Sequence, residues 1–339
     1  MNSELSPVAE RRDATLKEVA AEAGVSRATV SLVLRQSPLV AAATRERVES
    51  AILTVGYVYN RGAARLRTGT SGTIGLIVPE ITNPFYAELT AGIDEVLDVE
   101  GRLTYLATSN DRPERQERFI RRIREQGVDG IILSAAEGSS PWLLRQLREW
   151  RVPVVQILRS IAGIDADFVS PDFSRGTWAA IDHLVAAGHR HIALMPSAKN
   201  TSAARERIDT FLSALRHHGL GPGMVTPGAS SRSEAADRIG ETLISASPPS
   251  AVLCHNDLLA LGVIAELRRR GMTPGRDLSV IGFDDIPEAA SSVPALTTVA
   301  TLPVEVGIQA ARLLLRRIAM PDGAPERILI APRLILRET

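Results

Sequence analysis

From Thr73 onward the chain repeats one pattern: a short apolar run, an amphipathic stretch, then another apolar run. The strand candidates are 73–78, 103–107, 130–134, 153–158, 191–195, 251–254 and 278–282. Helical periodicity fills the intervals, at about 85–100, 114–126, 141–150, 175–187, 203–218, 232–246, 257–270 and 304–319. Apolar strands separated by helices rather than by tight turns belong in parallel sheets covered on both faces. Eight helices overfill one open sheet, so the pattern predicts two α/β lobes. A chain of 339 residues has room for both and for a small module besides.

The small module is legible before Thr73. Thr15 followed by Glu18 reads as a capping box opening a helix through LKEVAAEA, and Gly24 ends it in a left-handed turn. Ser26 caps a second helix that continues from Ala28 to Leu34, and Pro38 breaks it. A third runs from about Thr44 to Val55, before Gly56. Three short helices, the first two joined by a tight turn, are the arithmetic of a helix-turn-helix unit. Its expected core is Leu16, Val19, Val25, Val30, Val33, Val48 and Ile52. Residues 1–14 read as a flexible tail. Residues 60–72, with Gly62, Gly69 and Gly72, read as a hinge too short to hold a helix alone.

Charge separates the module from the body. The chain carries 39 basic and 39 acidic residues, but residues 11–68 hold ten basic against five acidic, a net +5, so the rest is net acidic. A basic module on an acidic body is the footprint of a tethered nucleic-acid binder. Cys254 is the one cysteine, which excludes an internal disulfide and fits a reducing compartment. The segment MNSELSPVAERR has no apolar stretch for secretion, and no apolar run approaches the ~18 residues that a spanning helix needs. A soluble cytoplasmic protein is expected, with no membrane partner.

The residues from Thr15 to Ser31, TLKEVAAEAGVSRATVS, resemble the headpiece of the LacI/GalR family of bacterial repressors. The likeness continues in order through SPLV from Ser37, TRERV from Thr44, GYVYN from Gly56 and NPFY from Asn83. It goes on through VDGIIL from Val128, GHRHI from Gly188, Asn256 with Asp257, SVIGFDD from Ser279 and LTTV from Leu296. Each segment is weak alone; the ordered set is specific. The resemblance implies an all-α helix-turn-helix headpiece (15–59), the hinge, and a two-lobed periplasmic-binding-protein-like α/β body (73–339) with two parallel sheets. The N-lobe would take about 73–171 and 303–330, the C-lobe about 172–299 and 331–337.

It also implies a DNA-binding surface made of Leu16, Ser26, Arg27, Ala28, Thr29, Ser31, Leu32, Arg35, Thr44 and Tyr57. Arg27 and Ala28 match positions at which the family reads base edges, and an arginine can take guanine O6 and N7 together. Thr29 and Ser31 suit phosphates. Leu32 stands where a base-reading arginine or histidine is frequent, and Arg35 where asparagine is, so the operator should differ from the best-known ones. In the hinge, Asn60, Ala63 and Leu66 match minor-groove positions, with Leu66 as a wedge between base steps. Tyr59 in place of a common proline, and Gly62, make the free hinge less helical.

In the body, ligands of open α/β sheets gather at the C-terminal ends of the strands. Asn83, Phe85, Arg207, Asn256 and Asp284 are the candidate effector contacts. A carboxylate and an arginine beside an aromatic face suit a sugar, a sugar acid or a similar molecule. Asp257 reads instead as a helix N-cap, and Arg205 as solvent-facing. Leu158 replaces the acid of a frequent Asp-Arg pair in PVVQILR, which makes the effector less sugar-like or differently oriented. His189 and His191 read as structural rather than metal-binding, Cys254 as buried, and His217 and His218 as helix-end residues. No phosphate loop, dinucleotide fingerprint or nucleophile elbow is present, so no cofactor and no catalysis are expected. A sugar receptor with the same two lobes would lack the basic headpiece. The expected protein is a homodimeric repressor on double-stranded, near-palindromic DNA. Family precedent favours release by the effector; the residues leave open the sign of the response and the effector's identity.

Overall fold

The computed structural model describes residues 14–35, 37–58, 70–221 and 223–339. Two compact units emerge, one ending at Ser71 and one running from Gly72 to Thr339.

The first unit contains α1 (Leu16–Glu22), α2 (Arg27–Leu34) and α3 (Ala42–Val55). Thr15 and Glu18 form the capping box reciprocally, the Thr15 amide donating to Glu18 Oε2 at 2.7 Å. Gly24, at φ +62°, turns the chain into the Ser26 cap of α2, whose hydroxyl accepts from the Thr29 amide at 3.1 Å. Val19, Val30, Val33 and Val48 fill the core with Ala20, Ala23 and Ala51, and Leu16, Val25, Ile52 and Tyr57 pack around it half-buried. The alanines escape a reading that looks for large apolar residues, yet they let three short helices approach. The third helix starts two residues before the expected Thr44, from Ala41, which makes no side-chain cap bond.

The second unit contains two six-stranded sheets. The first runs in the order β11 (Arg327–Ile330), β5 (Asp167–Pro171), β4 (Val154–Ile157), β3 (Gly130–Leu133), β1 (Thr73–Val78) and β2 (Leu103–Thr108). The second runs β12 (Arg333–Ile335), β10 (Thr297–Ala300), β9 (Ser279–Asp284), β8 (Ala251–Cys254), β6 (Ile192–Met195) and β7 (Met224–Val225). All pairings are parallel except β10–β12, which places one antiparallel strand at the edge of the second sheet. Strands β5, β7, β10, β11 and β12 were absent from the periodicity. β7 and β12 have two and three residues, and β11 alternates between exposed and half-buried, so none of the three is a long buried run.

Around the first sheet lie α4 (Pro84–Val99), α5 (Pro113–Glu125) and α6 (Pro141–Glu149). Around the second lie α7 (Phe173–Ala186), α8 (Ser202–His217), α9 (Arg232–Leu243), α10 (Asp257–Arg269) and the short α11 (Pro287–Ser291). The last helix, α12 (Pro303–Ala319), returns to the first sheet and packs along α4. Their closest approach is at glycines: a Cβ at Gly92 would lie 2.1 Å from the Val304 carbonyl oxygen, and one at Gly307 2.2 Å from that of Leu89. Strand alternation puts Leu76 and Ile132 on the face shared with α4, and Ile77, Ile131 and Leu133 on the face of α5 and α6. Both faces are thus apolar, as buried parallel strands require. The chain crosses between the sheets after β5, after β10 and after β11. None of the described helices is long and apolar enough to cross a membrane.

Candidate functional site

On α2, steps of ~100° per residue put Arg27, Ala28, Ser31, Leu32 and Arg35 on one arc, opposite buried Val30 and Val33. Arg27, Ala28 and Arg35 are exposed; Ser31 and Leu32 are half-buried. Arg35 donates to Ser31 Oγ at 2.8 Å, a bond between two of the candidate DNA contacts. Ser26 and Thr29 share a hydroxyl contact of 2.9 Å at the start of the helix. The arc therefore presents two exposed arginines, the Ala28 methyl, the Leu32 side chain and hydroxyls at the amino end of a helix. That is the equipment for guanine, a thymine methyl and phosphates. Leu16, Thr44 and Tyr57 are half-buried at the border of this core. Asn60, Ala63 and Leu66 lie outside the described residues.

In the body, the carboxyl ends of β1, β2, β4, β6, β8 and β9 line a cleft between the two sheets, a cavity of about 740 Å³. All five candidate effector residues border it. Their roles differ. Asn83 caps α4, accepting from the Phe85 amide at 3.1 Å, and its side chain also hydrogen-bonds the Asp284 carboxyl. Phe85 is buried, packed edge-on against Tyr86 at 5.3 Å. Asn256 caps α10, accepting from the Leu259 amide at 3.0 Å. Asp257, expected as that cap, is instead the first helical residue and is fully buried. The correction follows from reach: only the residue still outside the helix, in extended conformation, can turn its oxygen onto the third amide.

Arg207 is the centre of the cleft's electrostatics. Its guanidinium lies 4.0 Å from the centroid of the Phe173 ring and 4.4 Å from that of Phe283. Nη1 lies 3.1 and 3.0 Å from the two ring nitrogens of His255, while Nε is buried without a partner. Burial pulls its pKa down to about 10, with Asp284 opposing, so it stays charged at neutral pH. His255 is held well below its ordinary value by burial and by Arg207, and is neutral. Asp284 is pushed well above the ordinary carboxylate range by burial and by Asp257, against the pull of Arg207 and Asn83.

Asp284 also carries strain. Its φ is 120° and that of Asp285 is 63°, two successive non-glycine residues in positive φ. Such residues cost about 1–3 kcal/mol each and persist where surroundings over-determine them, most often at functional sites. Leu158 shows the same feature at the end of β4, with φ 62° and its side chain buried. A carboxylate for Arg159, absent at Leu158, comes instead from the loop after β2, where Asp111 pairs with Arg159.

Sequence reasoning missed Asp111, Arg159, Tyr86, Phe173, Lys199 and His255, all of which border the cleft. Four of them had a signal: Asp111, Arg159, Lys199 and His255 each follow a strand candidate by one to four residues. Tyr86, with its phenol pKa pushed up to about 12 by burial, sits inside a helix, and only its place at the end of NPFY pointed to it. Arg205 is exposed, as expected. His189 and His191 bond Ser250 and Ser247, and no metal-binding cluster occurs among the described residues.

The lobes also touch across the cleft. Glu137, after β3, accepts from the Asn200 amide at 2.7 Å and lies 3.8 Å from Lys199 Nζ. Ser202 Oγ accepts from the Ser160 amide at 2.9 Å.

A helical reading unit and a charged, strained cleft in one chain match known proteins over nearly the whole length. Residues 15–60 match the family model described as bacterial regulatory proteins, lacI family, and residues 181–339 a periplasmic binding protein-like domain. The maltose regulon regulatory protein MalI of Escherichia coli (strain K12) is 34% identical over 333 residues, 95% of this chain and 97% of that one. Among solved structures, a complex of the transcriptional regulator CelR with cellobiose is 31% identical with a TM-score of 0.73, covering 96% of this chain and 99% of that one. The lac repressor dimer bound to operator and the anti-inducer ONPF is 26% identical with a TM-score of 0.85, covering 97% and 99%. This chain, then, is a member of the lacI family of bacterial regulatory proteins.

Proposed function

We propose that the chain is a sequence-specific transcriptional repressor, a homodimer acting on a near-palindromic operator in the cytoplasm, released when a small polyhydroxylated effector occupies the cleft. The observation that carries the reading is the cleft itself: buried Arg207, with an unpartnered Nε, faces buried Asp284 in a chain that also holds a helix-turn-helix unit. Such groups persist under-bonded where a ligand completes them. Charge balance supports a neutral ligand. Arg159 is matched by Asp111, Lys199 by Glu137, and Arg207 by the field of Asp284. A sugar meets these requirements, offering hydroxyls to the charged groups and C–H faces to Phe85 and Phe173.

A second copy of the chain fits the edge of the first sheet. Leu103, Tyr105 and Leu106 on edge strand β2 are 54, 44 and 45% exposed, an apolar display on an open edge that pairing would cover. Two-fold symmetry then presents one α2 to each half-site. Occupancy of the cleft acts on a carbonyl tied to a crossover: Asp284 accepts from the Thr301 hydroxyl at 3.3 Å, next to Leu302 at φ 56°. Whatever that shift does to DNA affinity, operator must do to effector affinity.

The test is selection from random duplex DNA by the purified protein, alone and with maltose, cellobiose and ribose. A two-fold symmetric consensus supports the reading, and a lack of any preferred sequence overturns it. Arg27→Ala is expected to lower discrimination at one guanine per half-site by about 1–3 kcal/mol, seen as a relaxed base at that position in the selected consensus. Glu137→Ala removes the contact across the cleft mouth. Its ion pair with Lys199 is half-exposed and worth less than ~1 kcal/mol, so a change of a few fold in effector half-saturation is expected, read by fluorescence titration.

A further inference from the structure

We infer that Asp257 is a positioning residue, whose buried carboxylate holds the Asp284–Asp285 corner in the conformation that aims Asp284 into the cleft. The inference rests on the reading of the cleft as the effector site.

The carboxylate of Asp257 is fully buried, at the first position of α10, beneath the ends of β9 and β10. It does not cap its own helix; Asn256 does. Its oxygens are turned instead toward the next strands. Oδ2 accepts from the Ile286 amide at 2.9 Å, Oδ1 accepts from the Thr298 hydroxyl, and the Asp285 amide also donates to the carboxylate. The two amides belong to the residues that follow Asp284. They bind one anion only if the chain reverses its curvature there, and both Asp284 and Asp285 stand at positive φ.

The sheet is shaped around this carboxylate. Gly282 and Thr298 are register partners on β9 and β10. A Cβ at residue 282 would stand 2.1 Å from Asp257 Oδ1, so glycine leaves the hole that the oxygen fills. Thr298, opposite, supplies the hydroxyl. From the other side Arg337 donates to Asp285 Oδ1 at 2.6 Å and to the Leu296 carbonyl at 2.8 Å, and its amide donates to the Thr297 hydroxyl at 3.0 Å. The corner is therefore held from within by Asp257 and from the chain's last residues by Arg337.

Burying a carboxylate without a cation opposes its charge, and the pKa of Asp257 is raised to about 6. At neutral pH it is mainly ionised and able to accept all three bonds. An ion kept at this cost, beside a second acid at Asp284, has its use in the geometry that it imposes.

Hydrogen exchange with mass spectrometry on the full-length protein at pH 7.5, without any ligand, tests this. In Asp257→Ala the peptide spanning 283–287 is expected to lose at least tenfold in protection, while the first turn of α10, still capped by Asn256, changes by less than threefold. Asp257→Asn, which keeps one accepting oxygen, should recover part of the protection. Should Asp257→Ala fail to fold, Thr298→Val and Arg337→Met test the same corner from either side and should each lower protection at 283–287. If protection at 283–287 is unchanged in these variants, or if loss in Asp257→Ala falls on 258–261 instead, the inference is overturned and Asp257 serves only its helix. Because no ligand is present, a failed sugar screen would overturn the effector reading without moving this result.

Discussion

Asp284→Ala should abolish the response to effector while leaving operator affinity within about twofold. Asp284 borders the cleft, is 7% exposed and faces Arg207 across it. Removing a charged hydrogen-bonding group from a buried site costs about 1.5–3 kcal/mol for the lost bond, and further for the polar partner left unpaired. Together these place the loss in effector affinity at about a hundredfold or more. The alanine also inherits a φ of 120°, which an aspartate tolerates better than a residue without a side-chain oxygen. Asp284→Asn, which keeps the shape and the backbone preference, isolates the charge.

The two variants should therefore separate. Asn retains one acceptor and gains a donor, and a tenfold loss is expected; Ala loses both. The parent should show a pH dependence that Asp284→Asn lacks. In the empty cleft burial and Asp257 hold the Asp284 pKa well above the ordinary carboxylate range, so its protonated form persists to higher pH than that of an exposed aspartate. A ligand that donates hydroxyls to the ionised carboxylate binds better as pH rises through that value, then levels off. Effector titrations between pH 5 and 8.5 check the sign. Full effector response in Asp284→Ala would show that the ligand sits elsewhere.

The periodicity carried the architecture well because it reports burial, and both faces of these sheets are buried. The strands from β1 to β4, β6, β8 and β9 all show as apolar runs, and all but the edge strand β2 are covered by helices. What escaped were the edge strands β7, β11 and β12, and the interior strands β5 and β10, whose DFVSP and TTVA mix polar residues into the run. Strand β12 contributes Leu334 and Ile335 between charged neighbours, and β7 is two residues long; neither contains the signal that periodicity reads.

The cleft was legible to a different degree. Residues at or shortly beyond the end of a strand, such as Asn83, Asn256 and Asp284, were visible because parallel strands deliver their carboxyl ends to one rim. Arg207 came from the resemblance, since it lies a turn inside α8 and no local rule marks it. Asp257 was misread for a physical reason. Two adjacent residues, Asn256 and Asp257, both have capping side chains, and sequence does not say which one is still extended. The tertiary demand of the Asp285 and Ile286 amides takes the aspartate away from its own helix. Likewise, Asp111 and Arg159 are 48 residues apart, and only the β2–β1–β3–β4 order brings their loops together.

Val30→Asp should reduce operator binding more than a hundredfold and leave the cleft's ligand affinity and the body's thermal transition where they were. Val30 is fully buried in the headpiece core, among Val, Ala, Leu, Ile and Tyr side chains. Burying an unpaired charge costs several kcal/mol even after relaxation. A unit of this size has only about 2–7 kcal/mol of stability, at 0.05–0.15 kcal/mol per residue. The substitution therefore consumes most of what holds α1, α2 and α3 together. Arg27 and Arg35 keep their charges but lose the arc that displays them. The headpiece and the body are separately compact, with Val30 on one side of the division and Arg207 and Asp284 on the other. Calorimetry should show the body's transition unchanged, and Val30→Ala should retain most DNA binding, since truncation leaves a cavity but no buried charge. Operator affinity that survives Val30→Asp would mean that DNA is bound by some surface other than α2.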